Sequence, residues 1–303
     1  MFWEETGSTY KTAPPDIVTV SHHLQTNHSL KRIIYTRHVF SSNISLKDLL
    51  QERSITHTPC RTTVLITGAN RGIGRGLAEI FLARPNNTVI GAVRDPSSST
   101  ASTLQSFRAA KDTKLLLAAG VDHLDIVIAN AGISSTSAFA KVDGVKLKDI
   151  RDMFEVNTLG PLKLFIAAFP LLKATADSKG PGAPKFVGVS TNAASIVDVE
   201  ENAPYLLAGY GTTKAALNYL VRRAHAENDW LTAFVINPGF AQTDMGNSGA
   251  RHFGMEKAWV TVAGARHFGM EKAWVTVEDS IDEGTRESVS GKFLQYDGEE
   301  LRY

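Results

Sequence analysis

The stretch that most constrains this chain is Val64-Leu-Ile-Thr67-Gly68-Ala-Asn-Arg71-Gly72-Ile73-Gly74-Arg-Gly-Leu-Ala78. Four apolar or β-branched residues call for a short buried strand. Glycines then stand at 68, 72 and 74, and an apolar helical pattern begins near Ile73. Glycine permits a tight turn and lets the backbone approach a ligand with no Cβ in the way. A helix starting there aims unpaired N–H groups and a partial positive charge back at the loop. A pyrophosphate fits such a place, though a glycine-rich turn without a ligand reads the same way on its own. Strand, glycine turn and helix in this order predict an α/β fold, a Rossmann-type doubly wound parallel sheet in a single domain.

The 303 residues are enough for one large domain, and 43% hydrophobic with 21% charged residues is ordinary for a globular chain. A net charge of +1 gives no reason to expect nucleic acid or an anionic membrane surface. No apolar run in the sequence has the length of a membrane span, and no signal-peptide pattern opens the chain. The single cysteine, Cys60, permits no internal disulfide and suits a reducing, cytoplasmic compartment. Residues 1–60 are rich in Ser, Thr and His and read as a mobile extension, with the folded domain over 61–303. A short helix over 46–52, capped by Ser45, is the one element expected there. His22, His23 and His28 have no carboxylate or thiol at ligand spacing, so no metal is expected.

Thr88–Val93 reads as the second strand, and the next residue is Arg94. A site selective for NAD usually carries a carboxylate at this strand's end to accept from the ribose hydroxyls. Here Arg94 and Arg71 offer two guanidinium groups, which suit a 2′-phosphate, so NADP(H) is the expected cofactor. The next strand reads as Leu124–Ala129 and ends in Asn130-Ala131-Gly132. Between the two, space looks short. A third strand at 114–117 would need a return of about 22 Å. Residues 118–123 span at most about 20 Å. The expectation is therefore that the third strand and its helix are largely absent. One helix from about Pro96 to Ala119, stopped by Gly120, would cross directly and leave the second strand as an edge.

Lys148–Phe169 has apolar residues at helical spacing and contains Asn157-Thr-Leu-Gly160-Pro161. Proline has no N–H, so the Asn157 carbonyl four residues back loses its helical partner. Lys185–Val189 reads as a strand ending in the hydroxyls of Ser190 and Thr191. Tyr210 and Lys214, four apart at the start of a helical pattern, share one face. A nearby ammonium favours the phenolate, so Tyr210 is expected to be acidified and to exchange a proton with a substrate oxygen. Another strand pattern, Leu231–Ile236, runs into Asn237-Pro238-Gly239-Phe240-Ala-Gln-Thr243. Residues Gly249–Val262 recur unchanged at Gly264–Val277, a tandem duplication over 249–277. The helix expected near Glu278 is too short, and Ser290–Gly298 reads as the final strand with its turn.

Taken in order, T-G-x-x-x-G-x-G, the N-A-G strand end, the hydroxyl-bearing strand, Tyr210-x-x-x-Lys214 and Pro238-Gly-x-x-x-Thr243 resemble the short-chain dehydrogenase/reductase family over residues 62–303. The resemblance implies a nicotinamide cofactor held by Gly68, Arg71, Gly72, Ile73, Gly74, Arg94, Asn130, Tyr210, Lys214, Gly239, Phe240 and Thr243. It implies catalytic roles for Tyr210 and Lys214, for Thr191 first and Ser190 second as the substrate hydroxyl, and for Asn157, whose carbonyl would hold a relay water. Asn237–Gly246 and His-Phe-Gly-Met-Glu-Lys-Ala-Trp-Val-Thr-Val-Glu-Asp-Ser are similar to norsolorinic acid ketoreductases of aflatoxin-type polyketide pathways. That likeness implies a small-molecule partner, the ketone of a bulky aromatic polyketide, reduced to a secondary alcohol. A general carbonyl reductase and a disturbed homologue that binds NADP without turnover are the alternatives. Self-association is left open.

Overall fold

The computed structural model describes residues 62–107, 114–116 (backbone only), 120–135, 139–260, 281, 285–295 and 299–303. The expectations for residues 1–60 and for the second copy of the duplicated block lie outside the described residues. In chain order the elements are β1 (Thr62–Thr67), α1 (Gly72–Ala83), β2 (Asn87–Ala92), α2 (Ser99–Gln105), β3 (Lys114–Leu116) and β4 (Ile126–Ala129). Then come α3 (Leu147–Phe154), a π turn (Glu155–Leu159), α4 (Gly160–Lys179), β5 (Lys185–Val189), α5 (Ala208–Glu227) and β6 (Thr232–Asn237). The chain closes with α6 (Asp244–His252), α7 (Arg286–Val289), β7 (Phe293–Gln295) and β8 (Glu300–Leu301).

The eight strands form one sheet in the order β3-β2-β1-β4-β5-β6-β7-β8, parallel except for β8. The order reverses between β1 and β4, and in such sheets a crevice opens there at the carboxyl ends of the strands. The strands read as continuous apolar runs because both faces are covered. Alternation then divides them. Val64, Ile66, Val187, Val189, Phe234 and Ile236 pack with Leu77 and Phe81 of α1 on one side. Phe186, Ala233 and Val235 pack with Leu172 of α4 and Leu217 of α5 on the other. Gly188 lets α5 lie close on β5: a Cβ there would meet Val235 and Val221 at 3.1 and 3.2 Å.

The expected long helix from Pro96 to Ala119 does not form. α2 ends at Gln105. Lys114–Leu116 pairs in parallel with Thr88–Ile90, so β3 and not β2 is the edge. The strand has three residues and β4 starts only at Ile126, so residues 117–125 make the return. Nine extended residues reach about 30 Å, more than the return needs. No crossover helix is required, and residues 120–125 hold none. The third-strand unit is thus shortened rather than lost.

The helix expected over Lys148–Phe169 runs from Leu147 to Lys179. By length and composition it could cross a membrane, contrary to the expectation that nothing in the chain could. Its apolar residues serve the core instead: Leu164, Ala168 and Leu172 are buried against the sheet. The expectation of a short helix near Glu278 falls outside the described residues; after it, Arg286–Val289 makes a single helical turn held by a Thr285–Ser288 capping box.

Far from the crevice, Asp125 staples the base of the sheet. Its carboxylate accepts from the Thr63 N–H at 2.7 Å and from Lys179 Nζ at 2.6 Å, with His123 Nε2 at 3.5 Å. Burial disfavours the charged carboxylate, but the hydrogen bonds from His123, Lys179 and Thr63 together hold its pKa below the usual value. The same bond to Asp125 raises His123.

Candidate active site

The glycine loop turns as its residues require. Gly68 and Gly72 take φ of +68° and +55°, conformations that a side chain disfavours. A Cβ on Gly74 would lie 2.3 Å from Asn130 Nδ2 and 2.4 Å from the Gly68 carbonyl oxygen. The start of α1 is therefore pressed against the ends of β1 and β4. Asn130 Nδ2 donates to the Thr67 carbonyl at 2.8 Å, and Thr67 Oγ1 accepts from the Asn130 and Ala131 N–H groups. These bonds tie the ends of β1 and β4 together. Thr67, which opens the motif, takes part in all three of these bonds, a role that the spacing of the glycines does not reveal.

Arg71 and Arg94 both lie at the rim. Arg71 Nη1 donates to Asp244 Oδ2 at 3.3 Å, across from the glycine loop to the first residue of α6. Arg94 is exposed just beyond β2. Thr243 caps α6 by accepting from the Gly246 N–H at 3.1 Å. Its Cγ2 stands 3.1 Å from where a Cβ on Gly72 would be. The Pro238–Thr243 loop and the glycine loop thus meet. Gly239 turns that loop at φ +71°, and Phe240 is half-buried in it.

Asn157 lies at the centre of the second half of the site and is fully buried. Its Oδ1 accepts from the Ile133 N–H at 2.8 Å, and its Nδ2 donates to the Ile133 carbonyl at 2.8 Å and to Thr213 Oγ1 at 3.1 Å. Thr213 Oγ1 donates to the Tyr210 carbonyl at 2.8 Å. One amide therefore ties the segment after β4 to the first turns of α5. Around Asn157 the helix widens into the π turn, and the Gly160 N–H donates to the Glu155 carbonyl five residues back. Pro161 is the reason for a local break in the ordinary ladder, and π turns recur at functional sites.

Lys214 is buried, and its Nζ donates to the Val189 carbonyl at 2.8 Å. A Cβ on Gly132 would stand 3.5 Å from that Nζ and 3.3 Å from Asn157 Oδ1. Gly132, Asn157 and Lys214 therefore share one small volume at the ends of β4 and β5. Gly211 packs so closely that a Cβ would lie 2.5 Å from the Ala193 carbonyl oxygen. This brings the turn of α5 that carries Tyr210 against the Thr191–Ala194 turn.

The two candidate hydroxyls have different surroundings. Ser190 is buried, and its Oγ donates to Asn218 Oδ1 at 2.5 Å. Thr191 is half-exposed at the head of the turn; its Oγ1 accepts from the Ala193 N–H and donates to Asn192 Oδ1 at a long 3.3 Å. Ser195 Oγ donates to Asp198 Oδ2 at 2.9 Å and is committed within its own loop.

The charge states correct one expectation. Burial pushes the Tyr210 phenol up to about 12 and pulls the Lys214 ammonium down to about 8. Burial penalises the charged form of each group, and it is the cause of both shifts. Lys214 does not acidify Tyr210 in the protein alone.

The family profile described as short chain dehydrogenase matches residues 62–252. The chain belongs to the short-chain dehydrogenase family. The norsolorinic acid ketoreductase of Dothistroma septosporum is 38% identical over 80% of this chain and 92% of its own length. That of Aspergillus parasiticus is 34% identical over 86% of this chain and 99% of its own. Among solved structures, the NADPH-bound carbonyl reductase from chicken fatty liver superposes with a TM-score of 0.65 at 26% identity, over 80% of this chain and 94% of that one. In this short-chain dehydrogenase the glycine loop meets Thr243 at Gly72, and Asn157 and Lys214 meet at Gly132.

Proposed function

We propose that this enzyme reduces the ketone of a bulky aromatic polyketide, of the norsolorinic acid type, to a secondary alcohol with NADPH, in the cytoplasm. Its folded unit is the reductase domain from about residue 61 onward. The observation that carries the reading is the shared volume of Gly132, Asn157 and the Lys214 Nζ beside a glycine cradle with no room for a Cβ at Gly74.

The chain's residues fit NADP(H). Gly68–Gly74 would take the pyrophosphate at the start of α1. Arg71 and Arg94 at the rim would take the 2′-phosphate, with Arg71 leaving Asp244 to do so. Gly239, Phe240 and Thr243 would flank the nicotinamide, and Ile73 and Asn130 would floor the pocket. When bound, the reduced nicotinamide supplies the hydride.

The protein supplies placement and a proton. Tyr210 is protonated at neutral pH, the state that can donate to an oxygen gaining negative charge. Thr191, with only a long bond to give up, offers the second donor to that oxygen. Ser190 is the weaker candidate because its proton is held by Asn218. Lys214 would hold the cofactor ribose through its Nζ and bring positive charge toward the phenol. Asn157 braces Tyr210 through Thr213, and its carbonyl would hold the water that returns a proton to Lys214.

The test is direct. The purified chain is mixed with norsolorinic acid and either NADPH or NADH, and loss of absorbance is followed with product analysis. The reading predicts ketone-dependent oxidation, an alcohol product, a lower KM for NADPH, and a rise in that KM on Arg94→Ala. Equal use of NADH would overturn the cofactor assignment. Absence of any ketone-dependent oxidation would overturn the reaction.

A further inference from the structure

We propose that Phe139, Tyr205, His252 and Phe253 form an aromatic wall that gives the enzyme its preference for a flat, fused-ring ketone. The inference rests on the ketoreductase reading above and names the residues that would read the substrate's shape.

One ring of the four, Phe139, lines the cleft beside the site. A cleft of about 220 Å³ is lined by Gly132, Ile133 and Phe139 on one side and by Met245, Ser248 and Gly249 of α6 on the other. Gly132 is the residue beside Lys214, so the cleft reaches the centre of the site. From Phe139 outward the rings run on. Phe139 stacks on His252 at 4.4 Å between centroids, with 15° between planes. Phe253 meets Phe139 edge-on at 5.1 Å, and Tyr205 meets Phe253 edge-on at 5.9 Å. Four rings from three separate segments thus pack as one cluster, with Phe139 as its member at the cleft.

Two features hold it in place. The Ala140 N–H donates to the Leu206 carbonyl at 2.8 Å, and Ala140 also bridges to Leu207. Leu206 stands at φ +53°, a left-handed conformation that a branched side chain rarely takes. Such a residue persists where its surroundings demand it, and at ligand sites more than elsewhere. Here the turn joins the Phe139 segment to the Tyr205 segment. On the other side, a Cβ on Gly249 would stand 3.6 Å from the Phe139 ring and 3.5 Å from the Phe240 ring. The bare glycine leaves α6 closely apposed to both.

Gly249, His252 and Phe253 all belong to the first copy of the duplicated block. The block's first copy thus has a place in the site, as the outer face of the wall. A flat aromatic substrate gains from such rings both by area and by the alignment of ring quadrupoles, whereas an aliphatic ketone gains by area alone.

The experiment uses the full chain with NADPH and two probes, acetylnaphthalene and methyl hexyl ketone. Phe139→Leu is the primary variant because Phe139 lines the cleft. Phe253→Leu, which removes the ring edge-on to Phe139, is the second. Both turnover and calorimetric binding of acetylnaphthalene are measured. The proposal predicts a roughly tenfold loss of kcat/KM and of affinity for acetylnaphthalene, with methyl hexyl ketone changed by less than about twofold. Equal losses for both ketones, or none, would overturn it. Weakened acetylnaphthalene binding in the variants, with no ketone reduced even by the parent enzyme, would uphold the wall and sink the ketoreductase reading.

Discussion

Lys214 Nζ donates to the carbonyl of Val189 at 2.8 Å, so the buried ammonium of α5 is fixed to the last residue of β5. That bond sets the helix against the strand end at the height where the candidate hydroxyls emerge. It also keeps a cation in a place where burial pulls its pKa down to about 8.

Keeping that cation costs stability. An unfolded lysine titrates near 10.5, so between about pH 8 and 10.5 the unfolded chain binds more protons than the folded one. Stability attributable to Lys214 therefore rises with pH across that window. Lys214→Met should remove the rise and stabilise the fold at neutral pH, by on the order of 1–3 kcal/mol. It should also abolish turnover. Urea melts at neutral pH and near the top of the window, on parent and variant, check this. The parent's reductase activity should decline above about pH 8 as the ammonium is lost.

Ser190 and Thr191 should separate cleanly. Asn218 Nδ2 is already buried without a hydrogen-bond partner among the described residues. Ser190→Ala would leave its Oδ1 unsatisfied too, and should cost roughly 1–3 kcal/mol of stability with little loss of kcat. Thr191→Val should do the reverse: an unchanged melting temperature, unchanged NADPH affinity, and kcat down by roughly a hundredfold. Thermal melts and initial rates on the two variants decide the assignment.

The Asp125 staple predicts stability without activity. Asp125→Ala takes away the carboxylate that the Thr63 N–H and Lys179 Nζ donate to, and should destabilise the fold by roughly 1–3 kcal/mol, mostly through the buried N–H. The depressed Asp125 pKa means its contribution is present above the normal carboxylate value and fades as pH falls through the folded one. The raised His123 pKa works oppositely: its contribution is full below pH 6.5 and is lost as pH rises through the folded value. Melts from acid to neutral pH, with His123→Gln as control, measure both, while kcat at low temperature should stay near the parent's.

Much of this architecture was legible in the sequence because it rests on short-range rules. The runs Val64–Ile66, Phe186–Val189 and Ala233–Ile236 hold no polar side chain, and only strands covered on both faces need that. Tyr210 and Lys214 share a face because of helix geometry alone. β3 is hard to read because three edge residues leave almost no pattern, and because its end at Leu116 and the start of β4 at Ile126 leave more chain between them than the apolar runs suggest. The raised Tyr210 pKa was hidden because spacing reports the neighbour and not the burial. Leu206 carried no signal: a left-handed leucine breaks the local rule, and tertiary contacts with Ala140 accompany it. Asn218 was missed because an Asn one turn beyond Lys214 looks like a polar helix residue until β5 is laid beside it.

The central claim is that Tyr210 gives the proton to the ketone oxygen. Tyr210→Phe keeps the ring and removes only the hydroxyl, so the measurement is ketone-dependent NADPH oxidation alongside NADPH binding by fluorescence. The account predicts turnover reduced by at least roughly a thousandfold with NADPH affinity within about threefold of the parent. Turnover near the parent's level in a variant that still binds NADPH would contradict it.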